Sequence, residues 1–182
     1  MTAPHDLEYA GPMRTQRFCV ALLVLQHLGC AAATSTSAPP RVPSRLAEAE
    51  HALAHELDDF HLAASDADEV RYFSHFAPEG VFLGTDARER WTVPEFREYA
   101  HPRFAKGKAW SFRSTRRTFG MSDAGTTAWF EEDLETEKLG PARGSGVLVL
   151  RKGRWLIAQY NLALVVPNER FKDVKAVLDG TK

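Results

Sequence analysis

The chain has 182 residues, 44% hydrophobic and 26% charged, the balance of one folded globular domain rather than a disordered segment. Its formal net charge of −1 supplies no basic field for holding nucleic acid by counterion release, which argues against DNA or RNA binding as a primary role. Both cysteines, Cys19 and Cys30, stand in an N-terminal apolar stretch, so the remainder has no thiol, internal disulfide or cysteine metal site, and its stability rests on burial.

In chain order, residues 18–25 (FCVALLVL) form an uninterrupted apolar run preceded by Arg14 and Arg17. A charged n-region followed by a short h-region is the pattern of a secretory signal. Gln26 and His27 interrupt the run before it reaches the ~20 apolar residues of a spanning helix. Asp6 and Glu8 sit badly in an n-region, so Met13 offers an alternative start. The run ends in His27-Leu28-Gly29-Cys30, which resembles a bacterial lipobox except at His27, where the usual residue is leucine. The resemblance implies lipidation at Cys30; ordinary signal-peptidase cleavage after Ala33 is the alternative. Residues 31–44 are small, polar and proline-rich, as in a flexible tether. The expected organisation is therefore a leader over 1–30, a tether over 31–44 and one domain over 45–179. The expected location is the bacterial cell envelope, with membrane contact through a lipid anchor alone.

Within the domain, Leu46, Leu53, Leu57, Phe60 and Ala64 recur at helical spacing and predict a helix over 44–64. Asp68 caps a short helix over 69–76, which Pro78-Glu79-Gly80 ends. A brief strand follows over 81–83. Thr92-Val93-Pro94-Glu95 is a capping box that starts a helix, expected to stop at Pro102. From there the period changes to two: strands are expected over 110–121, 126–137, 143–151 and 154–166, with a tight hairpin turn at Lys152-Gly153. Asn168 caps a last short helix. Helices first and an antiparallel meander second is an α+β pattern, in which a curved sheet wraps around the helices as a cone with a cavity at its mouth.

Several stretches now carry a family resemblance: Phe82-Leu83-Gly84-Thr85-Asp86 with Glu89-Arg90-Trp91, Ala128 to Glu132, Arg143 to Val149, and Gly153 to Leu162. In order and spacing, from about Leu46 to Val174, they resemble the SnoaL-like branch of the nuclear transport factor 2-like superfamily, a cystatin-like roll. The scaffold hosts isomerases, cyclases, dehydratases, ligand-binding modules and assembly domains, so the resemblance implies a pocket rather than a reaction.

Strand alternation puts Glu132 on one face with Ala128, Phe130 and Leu134. A carboxylate on an apolar face must be paired or carry a raised pKa. Glu132 is thus the candidate general base, and a structural ion pair with Arg143 is the alternative. On the last strand, simple alternation puts Trp155, Ile157, Gln159 and Asn161 on one face and Leu156, Ala158, Tyr160, Leu162 and Leu164 on the other. The resemblance implies that the first face lines the cavity, where Gln159, Asn161, Arg143 and Trp91 are candidate ligand contacts. The resemblance also implies that some relatives carry histidine where this chain has Gln159 and Asn161, and amides do not shuttle protons near neutral pH. The second face is expected to pack against another subunit or under the C-terminal helix. Tyr99 and His101 lie with Trp91 near the expected mouth.

His51 and His55 have a chelating spacing but face away from the Leu53–Leu57–Phe60 stripe, and the glutamate of a zinc-protease motif is replaced by Ala52. Arg113, Arg116 and Arg117 read as an exposed, charge-bearing strand. The sequence calls for no metal and no cofactor. The expected role is an envelope-tethered domain that binds a small apolar ligand or pairs with itself as a homodimer through the sheet. The alternative is an isomerase, cyclase or lyase that transfers protons in the cone.

Overall fold

A computed structural model describes residues 44–136 and 139–180. The expected leader, the expected lipidation at Cys30 and the expected tether up to residue 43 lie outside the described residues. The elements are helices α1 (Arg45–Ser65) and α2 (Glu69–Ser74), strands β1 (Phe76–Leu83) and β2 (Arg90–Thr92), and helix α3 (Val93–Phe104). Strands β3 (Arg113–Met121), β4 (Thr127–Glu135), β5 (Ala142–Arg151) and β6 (Arg154–Leu164) follow, then a 3-10 turn (Asn168–Arg170) and helix α4 (Phe171–Leu178). The six strands form one sheet in the order β2-β1-β6-β5-β4-β3. β3 to β6 are an antiparallel meander, whereas β1 pairs parallel to β6. α1 packs on β3 and β6, and α3 on β1 and β2.

Local chemistry starts each helix. Ser44 Oγ accepts from Ala47 N at 3.2 Å to cap α1, and Asp68 Oδ1 accepts from Arg71 N at 3.0 Å to cap α2. At α3, Glu95 Oε2 accepts from Thr92 N at 2.8 Å and from Thr92 Oγ1 at 2.7 Å. The apolar side of α1 buries Leu53, Leu57, Phe60 and Ala64 as its period requires, together with Glu56 and His61.

Between helices and sheet the interior is filled by aromatic rings. Phe60 stacks on Tyr72 at 4.5 Å, Phe82 stacks on Phe96 at 4.0 Å, and Phe82 lies parallel to Tyr160 at 5.6 Å. All six of Phe60, Tyr72, Phe76, Phe82, Phe96 and Tyr160 are buried. Each such side chain contributes roughly 1.5–3 kcal/mol on leaving water.

Four expectations need correction. β1 begins at Phe76 rather than Val81; its register slips between Phe76 and Val81, and that slip holds Pro78, which cannot donate to a ladder. α3 runs through Pro102 to Phe104, because Phe104 is buried at 4% exposure and draws the last turn onto the core. α4 does not cover the sheet: it packs with the 3-10 turn before it and buries none of its residues.

The fourth correction concerns β6. Val147 pairs with Gln159 but Leu148 pairs with Ile157, so Ala158 is an extra residue, a β-bulge. Beyond it the side chains change faces. Trp155, Ile157 and Tyr160 are all buried on the inner side, while Gln159 and Asn161 face outward opposite Val147 and Ser145. Simple alternation does not survive an inserted residue.

Candidate functional site

Glu132 sits on the inner face of β4 with Ala128, Phe130 and Leu134, all buried. Its β5 neighbour in register is Gly144, and its β3 neighbour is Arg117. A Cβ at Gly144 would lie 2.3 Å from Tyr160 Oη and 2.8 Å from Glu132 Oε1, so glycine is what leaves room for the two side chains to meet.

The carboxylate is gripped on both oxygens. His61 Nε2 on α1 and Tyr160 Oη on β6 each donate to Oε1 at 2.8 Å. Arg117 Nε donates to Oε2 at 2.8 Å, with Nη2 equally close but off the hydrogen-bond line. Arg117 Nη1 continues to Ala54 O at 3.2 Å and Asp58 Oδ1 at 2.9 Å. One buried group therefore ties α1, β3, β4 and β6 together.

Burial taken alone would push the Glu132 carboxyl up, but the hydrogen bond and charge of His61 and the Arg117 guanidinium outweigh it and hold the carboxyl down at about 2. The phenol of Tyr160 is held well above its usual range by burial and by the adjacent carboxylate, so it stays a donor. An ionised carboxylate with three donors is a weak base. What it does is orient His61: Nε2–H is committed to Glu132, which leaves Nδ1 as the ring nitrogen without a bond to that carboxylate. Glu132 is 1% exposed and His61 is buried too, so the network reaches solvent through Arg117 and the exposed Asp58.

A second cluster lies where α1 meets the α2–β1 junction. Buried His75 meets Glu56 Oε1 through Nδ1 at 2.7 Å and Asp59 Oδ2 through Nε2 at 3.1 Å, the latter with poor hydrogen-bond alignment. Arg71 pairs with Asp59 and holds that carboxyl below the usual aspartate pKa, and Arg154 approaches Glu56 at 3.4 Å. Among the described residues, no group of three or more His, Cys, Asp and Glu side chains is arranged to hold a metal ion.

Arg143 does not touch Glu132. It points to the outer face, half exposed, 3.8 Å from Asp133 Oδ1, while Arg117 takes the role of ion-pair partner. The reason is register: Arg143 stands opposite Asp133, and Gly144 opposite Glu132. Gln159 and Asn161 are on the outer face as well, Asn161 Nδ2 lying 3.5 Å from Ser145 Oγ. Trp91 on β2 stacks on Tyr99 at 4.5 Å and on Phe96 at 5.5 Å. His101 is exposed and bonded to Glu69 at 2.8 Å, and His51 and His55 face solvent. The structure thus brings Glu132 together with His61, Tyr160 and Arg117, three residues that the sequence reading did not assign to the site. His61 was detectable as a histidine four residues after Leu57 on the apolar stripe of α1. Tyr160 was hidden by the bulge.

The outer face of the sheet carries Val147, Val149, Leu156, Gln159 and Asn161, all partly exposed. Trp129, 52% exposed, lies over Gly120, where a Cβ would come within 2.2 Å of the indole. A depression of about 320 Å³ runs beside it, lined by Thr118, Phe119, Trp129, Phe130, Glu131 and Ser145. Another, of about 290 Å³, lies between Ser44–Leu46 and Met121–Asp123. Neither borders Glu132 or His61.

A family model described as SnoaL-like domain matches residues 53–167. Solved structures share the fold at low identity. A protein of unknown function with a cystatin-like fold from Nostoc punctiforme PCC 73102 is 14% identical, with a TM-score of 0.54 over 64% of this chain and 90% of its own. An NTF2-like protein of unknown function from Pseudomonas putida KT2440 is 12% identical, with a TM-score of 0.55 over 67% and 90%. A Novosphingobium aromaticivorans protein, provisionally named as an aromatic ring hydroxylase, is 16% identical, with a TM-score of 0.57 over 70% and 94%. No curated protein matches the chain.

Proposed function

The chain belongs to the SnoaL-like domain family, and from that premise we propose that it is an exported, envelope-tethered domain that works by self-association through the outer face of its sheet. The observation that carries this reading is Trp129: a large indole, 52% exposed, set flat over Gly120 beside an apolar and amide surface. Exposed tryptophan at the centre of an apolar patch with a charged rim is the anatomy of an interface. Here the rim is Glu131, Asp133, Arg116 and Arg143. A small apolar ligand within the cone is not favoured, because stacked rings occupy the interior. Export rests on the charged and apolar pattern of residues 14–30, with Cys30 as the lipidated residue.

Two experiments test the reading. Sedimentation of the chain lacking residues 1–30 is expected to give a dimer, and Trp129→Asp a monomer of unchanged helix content; a monomeric parent protein removes the proposal. Fatty-acid labelling in a bacterial host is expected for the full chain and not for Cys30→Ser; equal labelling of both rejects the lipid anchor.

A second reading, proton transfer as in an isomerase, cyclase or lyase, is favoured by one observation: Glu132 fixes His61 through Nε2 and leaves Nδ1 without a bond to that carboxylate. In that case His61, rather than Glu132, is the acid–base group. Turnover of a carbonyl substrate that survives His61→Gln intact rules it out.

A further inference from the structure

Isolated helices shorter than about 12 residues are marginal in water, so an eight-residue helix such as α4 takes its stability from packing. Within the described residues that packing is missing. Phe171, Val174, Val177 and Leu178 recur along one side of α4 and are 56%, 36%, 61% and 80% exposed. Leu164 and Val165, just before, are exposed too. At 100° per residue, Lys175 borders this apolar side on one edge and Asp173 on the other. Among the described residues each is held by one exposed pair within the C-terminal segment, Lys175 with Asp179 and Asp173 with Arg170, and such pairs exchange at little cost.

The outer face of the sheet has the complementary features. Beside the Trp129 depression, Glu131 makes no ion pair among the described residues, and Arg143 is held only loosely, 3.8 Å from Asp133. A hollow walled by Trp129, with a carboxylate that only the charge of Arg116 attends and one weakly committed guanidinium, matches an apolar helix side edged by a lysine and an aspartate. Both surfaces belong to one chain, yet among the described residues α4 buries none of its side chains and its packing is with the 3-10 turn before it.

Resting on the self-association reading, we infer that α4 of one copy lies across the outer face of a second copy's sheet. Its apolar side fills the depression beside Trp129, Lys175 meets Glu131 and Asp173 meets Arg143. The exchange is reciprocal, as two-fold symmetry requires.

Crosslinking in the full-length chain tests the inference. Cys19→Ser and Cys30→Ser remove the natural thiols, and Ser145→Cys or Val174→Cys then supplies one thiol per chain. Mixing the two single-thiol proteins with a short bismaleimide is expected to yield a crosslinked pair containing one of each. A crosslink that forms only within a single chain carrying both cysteines overturns the inference, since the helix then lies on its own sheet. A protein that sediments as a dimer and gives no crosslink also overturns it, while self-association stands; a monomer overturns both. Glu131→Lys and Lys175→Glu are each expected to weaken the dimer by about threefold, and the two together in one chain to restore it. Equal weakening without restoration counts against the ion pair.

Discussion

Glu132 is where four elements converge, and its environment makes a signed statement about acid. The folded carboxyl titrates at about 2 against an ordinary 4.5, so the unfolded chain binds that proton more readily. The stability it contributes is present above pH ~4.5 and disappears as the pH falls towards 2. The shift corresponds to roughly 3 kcal/mol. We expect Glu132→Gln to be less stable than the parent by about that amount at pH 7, with the gap closing near pH 2, measured by urea unfolding across that range. Glu132→Ala is worse, because His61 and Tyr160 lose their acceptor and Arg117 keeps only the exposed Asp58 as its anion, at a cost of about 3–5 kcal/mol. Two buried tyrosines give a matched contrast. Tyr160→Phe removes a donor from the carboxylate and is expected to destabilise by about 1.5–3 kcal/mol. The Tyr72 hydroxyl makes no hydrogen bond of good geometry, although the Trp110 indole lies beside it, so Tyr72→Phe is expected to be neutral or stabilising by up to about 1 kcal/mol. Melting temperatures of the two variants, which must move in different degrees, check the pair.

At the scale of elements, β4, β5 and β6 converge at Gly144. Replacing it with alanine drives a methyl group into Tyr160 Oη and Glu132 Oε1, and we expect a loss of about 1–3 kcal/mol with no change in secondary-structure content by circular dichroism. Elements also mark how far the sequence could be read. The apolar stripe of α1, the caps at Asp68 and Thr92, and the alternation that turns Glu132 inward are short-range signals, each contained within a few residues. The identity of Glu132's partner is not of that kind: Arg117 and Arg143 are both arginines on adjacent strands, and only the β3–β4–β5 register separates them. The bulge at Ala158 is a decision of the pair β5–β6, invisible in either strand by itself, and it alone moves Gln159 and Asn161 from the inside to the outside. Pro102 misled for a related reason, since burial of Phe104 outweighs a local stop signal.

At the scale of the whole molecule, the inside is closed by rings and the outside keeps an apolar sheet face and an apolar helix side. Neither is covered among the described residues, and the proposed self-association rests on that. The parallel seam between β1 and β6 also has a kinetic meaning. Phe82 sits beside Tyr160, 78 positions later (160 − 82), so the centre of the sheet cannot close until the last strand has been synthesised. Contacts this distant in sequence form slowly, because the intervening chain must first be brought into a loop. A chain still emerging from the ribosome therefore presents Phe60, Tyr72, Phe82 and Phe96 uncovered, with no strand yet available to shut the core. Chains ending before Arg154 are expected to remain protease-sensitive throughout and to be held in solution only by a chaperone. The core therefore closes only once β6 has been made, so that strand sets when this domain can fold.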